Sequence, residues 1–125
     1  MTFEEIVETV RLLKEFGISH IRITGGEPLL RRNITKLIES LVPQVSSIAI
    51  TTNGTRLAKE ASSLRLAGLK AINVHLDTLD AAKFEVLTGG DIGTTLKGID
   101  VAKSAGMLIK FNTVLLRGIN DCEID

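Results

Sequence analysis

The stretch Ile21-Arg22-Ile23-Thr24-Gly25-Gly26-Glu27-Pro28 has the pattern of a short β-strand that ends at two glycines, a carboxylate and a proline. Alternation along the strand places Arg22 and Thr24 on one face and the two isoleucines on the other. Because glycine has no Cβ, a double glycine lets a backbone approach a bound ligand closely. The proline favours an extended conformation for Glu27. The Glu27 carboxylate is therefore expected to stay at the end of the strand. The same residues suit a tight strand-to-loop turn, and the stretch alone leaves both interpretations open.

The composition indicates a globular protein and gives no sign of a nucleic-acid or membrane partner. Of the 125 residues, 44% are hydrophobic and 24% are charged, a balance typical of folded domains. The 15 basic and 15 acidic side chains cancel, and aromatic residues are 3%, so neither a charged surface for nucleic acid nor a set of base-stacking rings is indicated. No apolar run approaches the length of a membrane span, about 20 residues. We therefore expect one cytoplasmic domain, or part of one.

Helical and strand patterns alternate along the whole chain. Apolar residues alternate with polar ones over 19–24, 46–51, 71–77 and about 108–115, which predicts four strands. Each is preceded by apolar residues at helical spacing, and the strands begin about 30 residues apart, the length of a βαβ unit. The predicted order is therefore αβαβαβαβ, with parallel strands joined by crossover helices.

Capping residues mark several predicted helix ends. Thr2 and Glu5 form a capping box at the start of the first helix, and Gly17 suits the position just past its end. Asn33 can cap the second helix, and Asp80 starts a short helical turn. The last helix is predicted to face inward through three residues, Leu96, Ile99 and Ala102.

Each predicted strand has one polar and one apolar face, unlike the nearly continuous apolar strands of an open sheet covered on both sides. Four parallel strands with one polar face indicate a barrel with helices outside and a ligand-holding lumen inside. Because such a barrel closes with about eight strands, the predicted fold is α/β: a partial (βα) barrel of the TIM type, with about four parallel strands and outer helices. The residues on the polar face are His20, Arg22, Thr24, Ser47, Ala49, Thr51, Asn73, His75, Asp77, Leu108, Lys110 and Asn112.

Four polar side chains, one from each predicted strand, would converge near the carboxyl ends of the strands, where barrel enzymes place their sites. Two of them are cations, which would suit a phosphorylated or otherwise anionic ligand because both donate charge-assisted hydrogen bonds. Alternatively, the cations only neutralise Asp77 and Glu27 inside the lumen. The four residues are Arg22, Thr51, His75 and Lys110.

The glycine stretch and four later segments together resemble the radical S-adenosylmethionine (SAM) enzymes. Residues 21–32 are similar to the second-strand motif of that family. More narrowly, the ordered combination is similar to the GTP 3′,8-cyclases, the lyases that begin molybdenum cofactor (molybdopterin) biosynthesis. The resemblance covers essentially the whole chain. The later segments are Thr51-Thr52-Asn53-Gly54, Asn73-Val74-His75-Leu76-Asp77-Thr78-Leu79-Asp80, Lys110-Phe111-Asn112 and Gly118-Ile119-Asn120-Asp121.

The resemblance implies where two small molecules would bind. The glycine–glycine–glutamate turn would bind the amino acid moiety of SAM through Gly26 and its neighbours Gly25 and Glu27. His75 occupies a position where the family usually has a serine that contacts SAM, so a bulky ring replaces a small hydroxyl group there. The positions that the family uses for the substrate GTP are occupied by Arg22, Thr51 and Lys110.

The resemblance also implies two 4Fe–4S clusters, held by a three-cysteine motif after the first strand and by cysteines near the C-terminus. The only cysteine of this chain, Cys122, matches neither position. We therefore expect residues 1–125 to be the central part of a radical SAM partial barrel, without metal ligands or catalytic residues and inactive as an isolated chain.

The sequence leaves open two alternative functions and the state of association. The chain could come from a different radical SAM enzyme that shares the glycine motif, or from a non-catalytic α/β binding module that has kept the fold. The exposed apolar helix faces and unpaired edge strands of half a barrel would invite self-association, of which a homodimer is one form.

Overall fold

The computed structural model describes residues 1–123, and at its centre lies a sheet of four parallel strands in the order β1-β2-β3-β4. The parallel arrangement of sequential neighbours confirms the predicted α/β topology. Three strands are shorter than predicted: β1 loses one residue at each end, β3 stops before residue 76 and β4 stops well before residue 115. The strands are β1 (His20–Ile23), β2 (Ser47–Thr52), β3 (Ala71–His75) and β4 (Leu108–Asn112).

The connections between strands are helical, and one helix is longer than predicted. The segment after Asp80 forms an α-helix of 8 residues rather than a short turn, because the Asp80 side chain accepts a hydrogen bond from the Lys83 N–H (2.9 Å). No helix within residues 1–123 combines the length and apolar character that crossing a membrane requires. The helices are α1 (Phe3–Glu15), α2 (Ile34–Leu41), α3 (Leu57–Leu66), α4 (Ala81–Thr88) and α5 (Ile92–Ser104), with short 3-10 turns at Pro28–Leu30, Val42–Gln44 and Asp121–Glu123.

Helix ends follow the sequence at α1 and depart from it at α2. The Thr2 hydroxyl accepts a hydrogen bond from the Glu5 N–H (3.2 Å), and the Glu5 carboxylate accepts one from the Thr2 N–H (2.7 Å), which confirms the capping box. Gly17 has a φ of 83° just past the helix, as predicted. Asn33 lies at the N-cap of α2, but with a φ of 59° and no side-chain hydrogen bond to the helix. Asparagine tolerates this left-handed conformation. Asn33 therefore allows the chain to turn before α2 and does not cap the helix with its side chain.

The hydrophobic core lies between the helices and the apolar face of the sheet. A row of isoleucines runs across all four strands in register, from Ile23 to Ile109 through Ile50 and Ile72. Full burial of one such side chain stabilises a fold by about 1.5–3 kcal/mol. The predicted inward residues of α5 are buried except Leu96, whose side chain is 38% exposed, so that part of the prediction is wrong. The helix residues buried in the core include Ile34, Leu37, Ile38, Leu41, Leu57, Ala61, Leu64, Ile99 and Ala102.

The two outer strands, β1 and β4, each pair with a single neighbour among the described residues. On β4 the apolar Phe111 is 53% exposed although it points to the helix side of the sheet, and Leu108 is 69% exposed. The open strand edges are therefore present, and apolar side chains are also exposed on helices, among them Leu66 (89%) on α3 and Val86 (85%) on α4. Self-association through them stays a prediction.

Helix α5 lies very close to the turn that follows β2. A Cβ atom at Gly98 would lie 2.7 Å from the Gly54 carbonyl oxygen and 2.7 Å from the Leu57 Cβ. Neither of these atoms belongs to the flexible end of a side chain, so neither can move aside easily. The absence of a side chain at Gly98 therefore sets the distance between α5 and the turn.

We expect Gly98→Ala to destabilise the fold by about 1–2 kcal/mol, since overpacking outweighs the better helix propensity of alanine. Urea unfolding followed by circular dichroism measures the change. Gly90→Ala is the matched control, because its Cβ would make only ordinary contacts, the nearest at 3.4 Å to the Thr88 hydroxyl, and a change within about 0.5 kcal/mol is expected. Equal stabilities for Gly98→Ala and the wild type would contradict the close approach.

Candidate ligand-binding site on the polar face of the sheet

The strand register brings the predicted site residues onto one face of the sheet. Thr51, Asn73 and Lys110 are direct neighbours across β2, β3 and β4. Arg22 lies one row closer to the amino ends of the strands, on β1, and His75 ends β3 one row closer to the carboxyl ends. Successive rows are about 7 Å apart along a strand. The residues therefore form a diagonal band across the polar face rather than one cluster.

Two of the predicted residues, Arg22 and Lys110, flank a cavity of about 460 Å³ over the half of this face that is nearer the amino ends of the strands. Its floor includes Ala49 and Ala71, whose small side chains leave room, and Arg22 and Lys110 lie on the two outer strands beside it. Within residues 1–123, neither cation has a carboxylate within ion-pair distance. The alternative that these cations neutralise lumen carboxylates is therefore not what the structure shows. Both remain available to an anionic ligand.

A second cavity, of about 260 Å³, lies at the carboxyl ends of the strands. It brings together Gly26, Glu27 and His75, three of the four residues predicted for SAM. Thr51, predicted for GTP, lines the same cavity. Its register partner on β3, Asn73, lines the 460 Å³ cavity instead. Gly25, the fourth residue predicted for SAM, lies instead at a separate cavity between β1 and α1.

The two glycines of the turn have open space on their exposed sides. Their φ angles are 101° at Gly25 and 49° at Gly26, in the region that side chains with a Cβ adopt rarely. A Cβ built at either position would meet no atom within 4 Å. Nothing in the described residues thus fills the space beside this turn, and a ligand can approach its backbone.

The carboxylate of Glu27 ties the glycine turn to the end of β2. Its Oε1 accepts hydrogen bonds from the Thr52 hydroxyl (2.7 Å) and the Leu29 N–H (3.0 Å), and its Oε2 accepts one from the Asn53 N–H (2.8 Å). A carboxylate has about four acceptor positions, so one position on Oε2 is left at the cavity. The sequence indicated a carboxylate at the strand end but not these partners, because they depend on which residues of β2 lie beside it.

His75 is held in place by a neighbour two residues along the chain. Its Nε2 lies 2.8 Å from Oδ2 of Asp77, and the other carboxylate oxygen accepts a hydrogen bond from the Val114 N–H (2.7 Å). The His75 side chain is 43% exposed and borders the 260 Å³ cavity. The ring is therefore tethered at the rim of the cavity.

The segment after β4 returns to the end of β3 and is fastened there by buried and charged groups. The Asn120 side-chain amide donates hydrogen bonds to the carbonyl oxygens of Asp77 (2.6 Å) and Val114 (2.9 Å). The Glu123 carboxylate accepts one from Lys83 (2.7 Å) and another from the Thr78 hydroxyl, and these two bonds lower the pKa of Glu123 below its ordinary value, the Lys83 bond most. This return fixes the position of Asp77, which in turn holds His75 at the rim of the 260 Å³ cavity.

Two buried side-chain atoms on the polar face have no hydrogen-bond partner among residues 1–123, and they lie on adjacent strands. They are the Thr51 hydroxyl oxygen and the Asn73 amide nitrogen, and the two residues face each other in the register of β2 and β3. Asn73 is only 2% exposed and borders the 460 Å³ cavity. Alternation along β3 put Asn73 on the polar face, but only the register shows it beside Thr51.

Comparison with curated proteins gives relatives that share one description. The chain is 48% identical to a GTP 3′,8-cyclase of Peptoclostridium acidaminophilum and 47% identical to one of Thermodesulfovibrio yellowstonii, in each case over 100% of this chain and 40% of the relative. A probable GTP 3′,8-cyclase of Archaeoglobus fulgidus is 45% identical over 98% of this chain and 42% of its own length. The chain thus spans about 40% of the length of these relatives.

Solved structures share the fold at low sequence identity. Methylornithine synthase (PylB) matches with a TM-score of 0.72 and 21% identity, over 95% of this chain and 36% of that protein. An archaeal TYW1 matches with a TM-score of 0.69 and 18% identity, over 95% of this chain and 47% of that protein. The family model described as the radical SAM superfamily matches residues 1–125. The predicted family is thereby confirmed, and the chain belongs to the radical SAM superfamily.

Proposed function

We propose that residues 1–125 are the central part of a GTP 3′,8-cyclase, the radical SAM enzyme that converts GTP to a cyclic intermediate in molybdenum cofactor biosynthesis. The observation that carries this proposal is the pair of cavities on the polar face, one bordered by Gly26 and Glu27, the other by two cations without carboxylate partners in residues 1–123. The relatives described as GTP 3′,8-cyclases support it over the whole chain. In this proposal the chain forms an incomplete domain.

SAM fits the smaller cavity by its chemistry. The amino acid moiety of SAM has an ammonium group, and Oε2 of Glu27 retains an acceptor position for one of its N–H groups. The open side of Gly26 lets the rest of that moiety lie against the turn. The positive φ of Gly25 shapes the turn, although that residue borders another cavity. When bound beside a reduced iron–sulfur cluster, SAM supplies radical chemistry.

GTP fits the larger cavity because its triphosphate is anionic. Arg22 and Lys110 approach from opposite edges of the sheet and would hold phosphate oxygens by charge-assisted hydrogen bonds. Thr51 lines the smaller cavity and its register partner Asn73 lines the larger one, and the Thr51 hydroxyl oxygen lacks a hydrogen-bond partner among residues 1–123. A nucleotide that reaches from the two cations to Thr51 would place its non-phosphate end beside SAM.

A 4Fe–4S cluster, the cofactor of radical SAM enzymes, does not fit the residues of this chain. Such clusters are held by several cysteine thiolates, and the sequence contains one cysteine. That residue, Cys122, is exposed, and its Sγ lies 4.0 Å from the Lys83 ammonium. We therefore propose that these residues hold substrate and SAM but generate no radical, so that the isolated chain is catalytically inactive.

Lys110→Met should weaken GTP binding by about tenfold to a hundredfold, because a charge-assisted hydrogen bond is lost. Isothermal titration of the chain with GTP measures the affinity. Lys97→Met removes an exposed lysine from α5, away from both cavities, and should leave the affinity unchanged. Equal affinities for the two variants would favour a different radical SAM enzyme over a GTP cyclase.

Gly26→Ala should abolish measurable SAM binding while costing only about 1 kcal/mol of stability, since its Cβ would meet no protein atom but would enter the space beside the turn. Gly118→Ala is the matched control: its φ is 74°, nothing lies within 4 Å of its Cβ position, and it borders neither cavity. SAM titration and thermal unfolding of both variants test this. The SAM assignment fails if both variants bind SAM equally.

His75→Ser introduces the residue that the family usually has at this position. Because Asp77 holds the ring at the rim, we expect the affinity for SAM to change by less than about threefold, or about 0.7 kcal/mol. His20→Ser, at the opposite end of the face, is the control. A large gain in affinity for His75→Ser alone would show a compromised SAM site and favour the second candidate, a binding module that has lost the chemistry.

A further inference from the structure

We infer that Asn73 is a further nucleotide-contacting residue, whose side-chain amide donates a hydrogen bond to an acceptor oxygen of the nucleotide in the 460 Å³ cavity. This inference rests on the proposed function, since it concerns the same site. It goes beyond the roles assigned so far to Arg22, Thr51 and Lys110.

The first support is that Asn73 is an exception among the buried polar side chains of residues 1–123. Its Nδ2 is buried without a partner. Each of the other buried polar residues donates a side-chain hydrogen bond within the protein. A buried amide N–H without a partner destabilises a free protein, and a native structure that keeps one needs a reason. The other buried polar residues are Thr52, Thr78, Thr95 and Asn120.

The second support is position. Asn73 borders the 460 Å³ cavity, in the same row as Lys110 on one side and Thr51 on the other. The two buried atoms without partners in the described chain therefore belong to register partners, one of which lines each cavity. The terminal torsion of an asparagine has a broad energy minimum, so the amide can turn its N–H toward the cavity that the residue borders.

The position of the amide selects between the two ligands. An N–H group needs an acceptor, and the two nearby cations, Arg22 and Lys110, also favour a ligand rich in acceptor oxygens. SAM has acceptor oxygens too, on its carboxylate and ribose, but we place SAM at the other cavity, beside Gly26 and Glu27. In the cavity that Asn73 borders, a ribose hydroxyl or a phosphate oxygen of the nucleotide would give the amide the partner that it lacks.

The test uses Asn73→Leu, which keeps the approximate size of the side chain, and Asn73→Ala, which leaves space. Both remove the amide, so both should weaken GTP binding about tenfold. Because a buried group without a partner is removed, the melting temperature of ligand-free Asn73→Leu should equal that of the wild type or exceed it by about 4 °C. Titration with inorganic tripolyphosphate separates the two acceptors: a matching loss indicates a phosphate oxygen, and an unchanged affinity indicates the ribose.

Asn120→Leu is the control for stability. Asn120 is 1% exposed, as buried as Asn73, but its amide is fully hydrogen-bonded, so this variant should melt at a clearly lower temperature or fail to fold. If Asn73→Leu is destabilised as strongly, Asn73 has a partner in the free protein and the inference is wrong. It is also wrong if both Asn73 variants bind GTP like the wild type while Lys110→Met binds weakly. Failure of the wild type to bind GTP would overturn the proposed function as well.

Discussion

The position of the glycine turn depends on the carboxylate of Glu27. The turn cannot be held by packing, because its two glycines have no side chains and face open space. Three hydrogen bonds from Leu29, Thr52 and Asn53 hold the carboxylate instead, and two of them come from the end of β2. Because Pro28 follows directly and restricts the conformation of Glu27, the carboxylate and the turn move together. The smaller cavity therefore takes its shape from one charged side chain.

The partners of Glu27 are themselves held from the other side of the sheet. The Asn53 carbonyl oxygen accepts a hydrogen bond from the Thr95 hydroxyl of α5 (3.3 Å), and Gly98 lets the same helix lie against Gly54. Helix α5 thus supports the turn after β2. The residues of that turn hold Glu27, and Glu27 holds the glycine turn. A ligand site that consists largely of exposed backbone gains rigidity in this way from the packed side of the fold.

Local patterns predicted most of the fold, because helix and strand periodicity are properties of neighbouring residues. The two faces of the sheet, the parallel order and the capping box at Thr2 all follow from such patterns. The errors occurred where tertiary contacts decide. Leu96 has the spacing of an inward residue but lies at the edge of the core, and Asn33 has a capping side chain but takes a left-handed backbone conformation.

The candidate site was predictable as a set of residues but not as a set of interactions. Sequence reasoning placed Arg22, Thr51, His75 and Lys110 on one face, and the register agrees. It could not show that Glu27 already has three donors or that Asp77 holds His75, because those contacts depend on strand register and on the return of the chain after β4. Asn73 and Asn120 are equally inconspicuous in the sequence, and only the structure shows that one is bonded and the other is not.

The two faces of the sheet divide their roles. On the helix side, in-register isoleucines are packed against the helices and stabilise the fold. On the other side, Ala49 and Ala71 contribute little packing, and buried polar atoms at Thr51 and Asn73 have no partners within the part of the chain that the structure describes. A face evolved only for stability would fill this space with apolar side chains. That the polar face keeps both the space and the unsatisfied donors is expected if a ligand completes it, and the core behind it offsets the cost until the ligand binds.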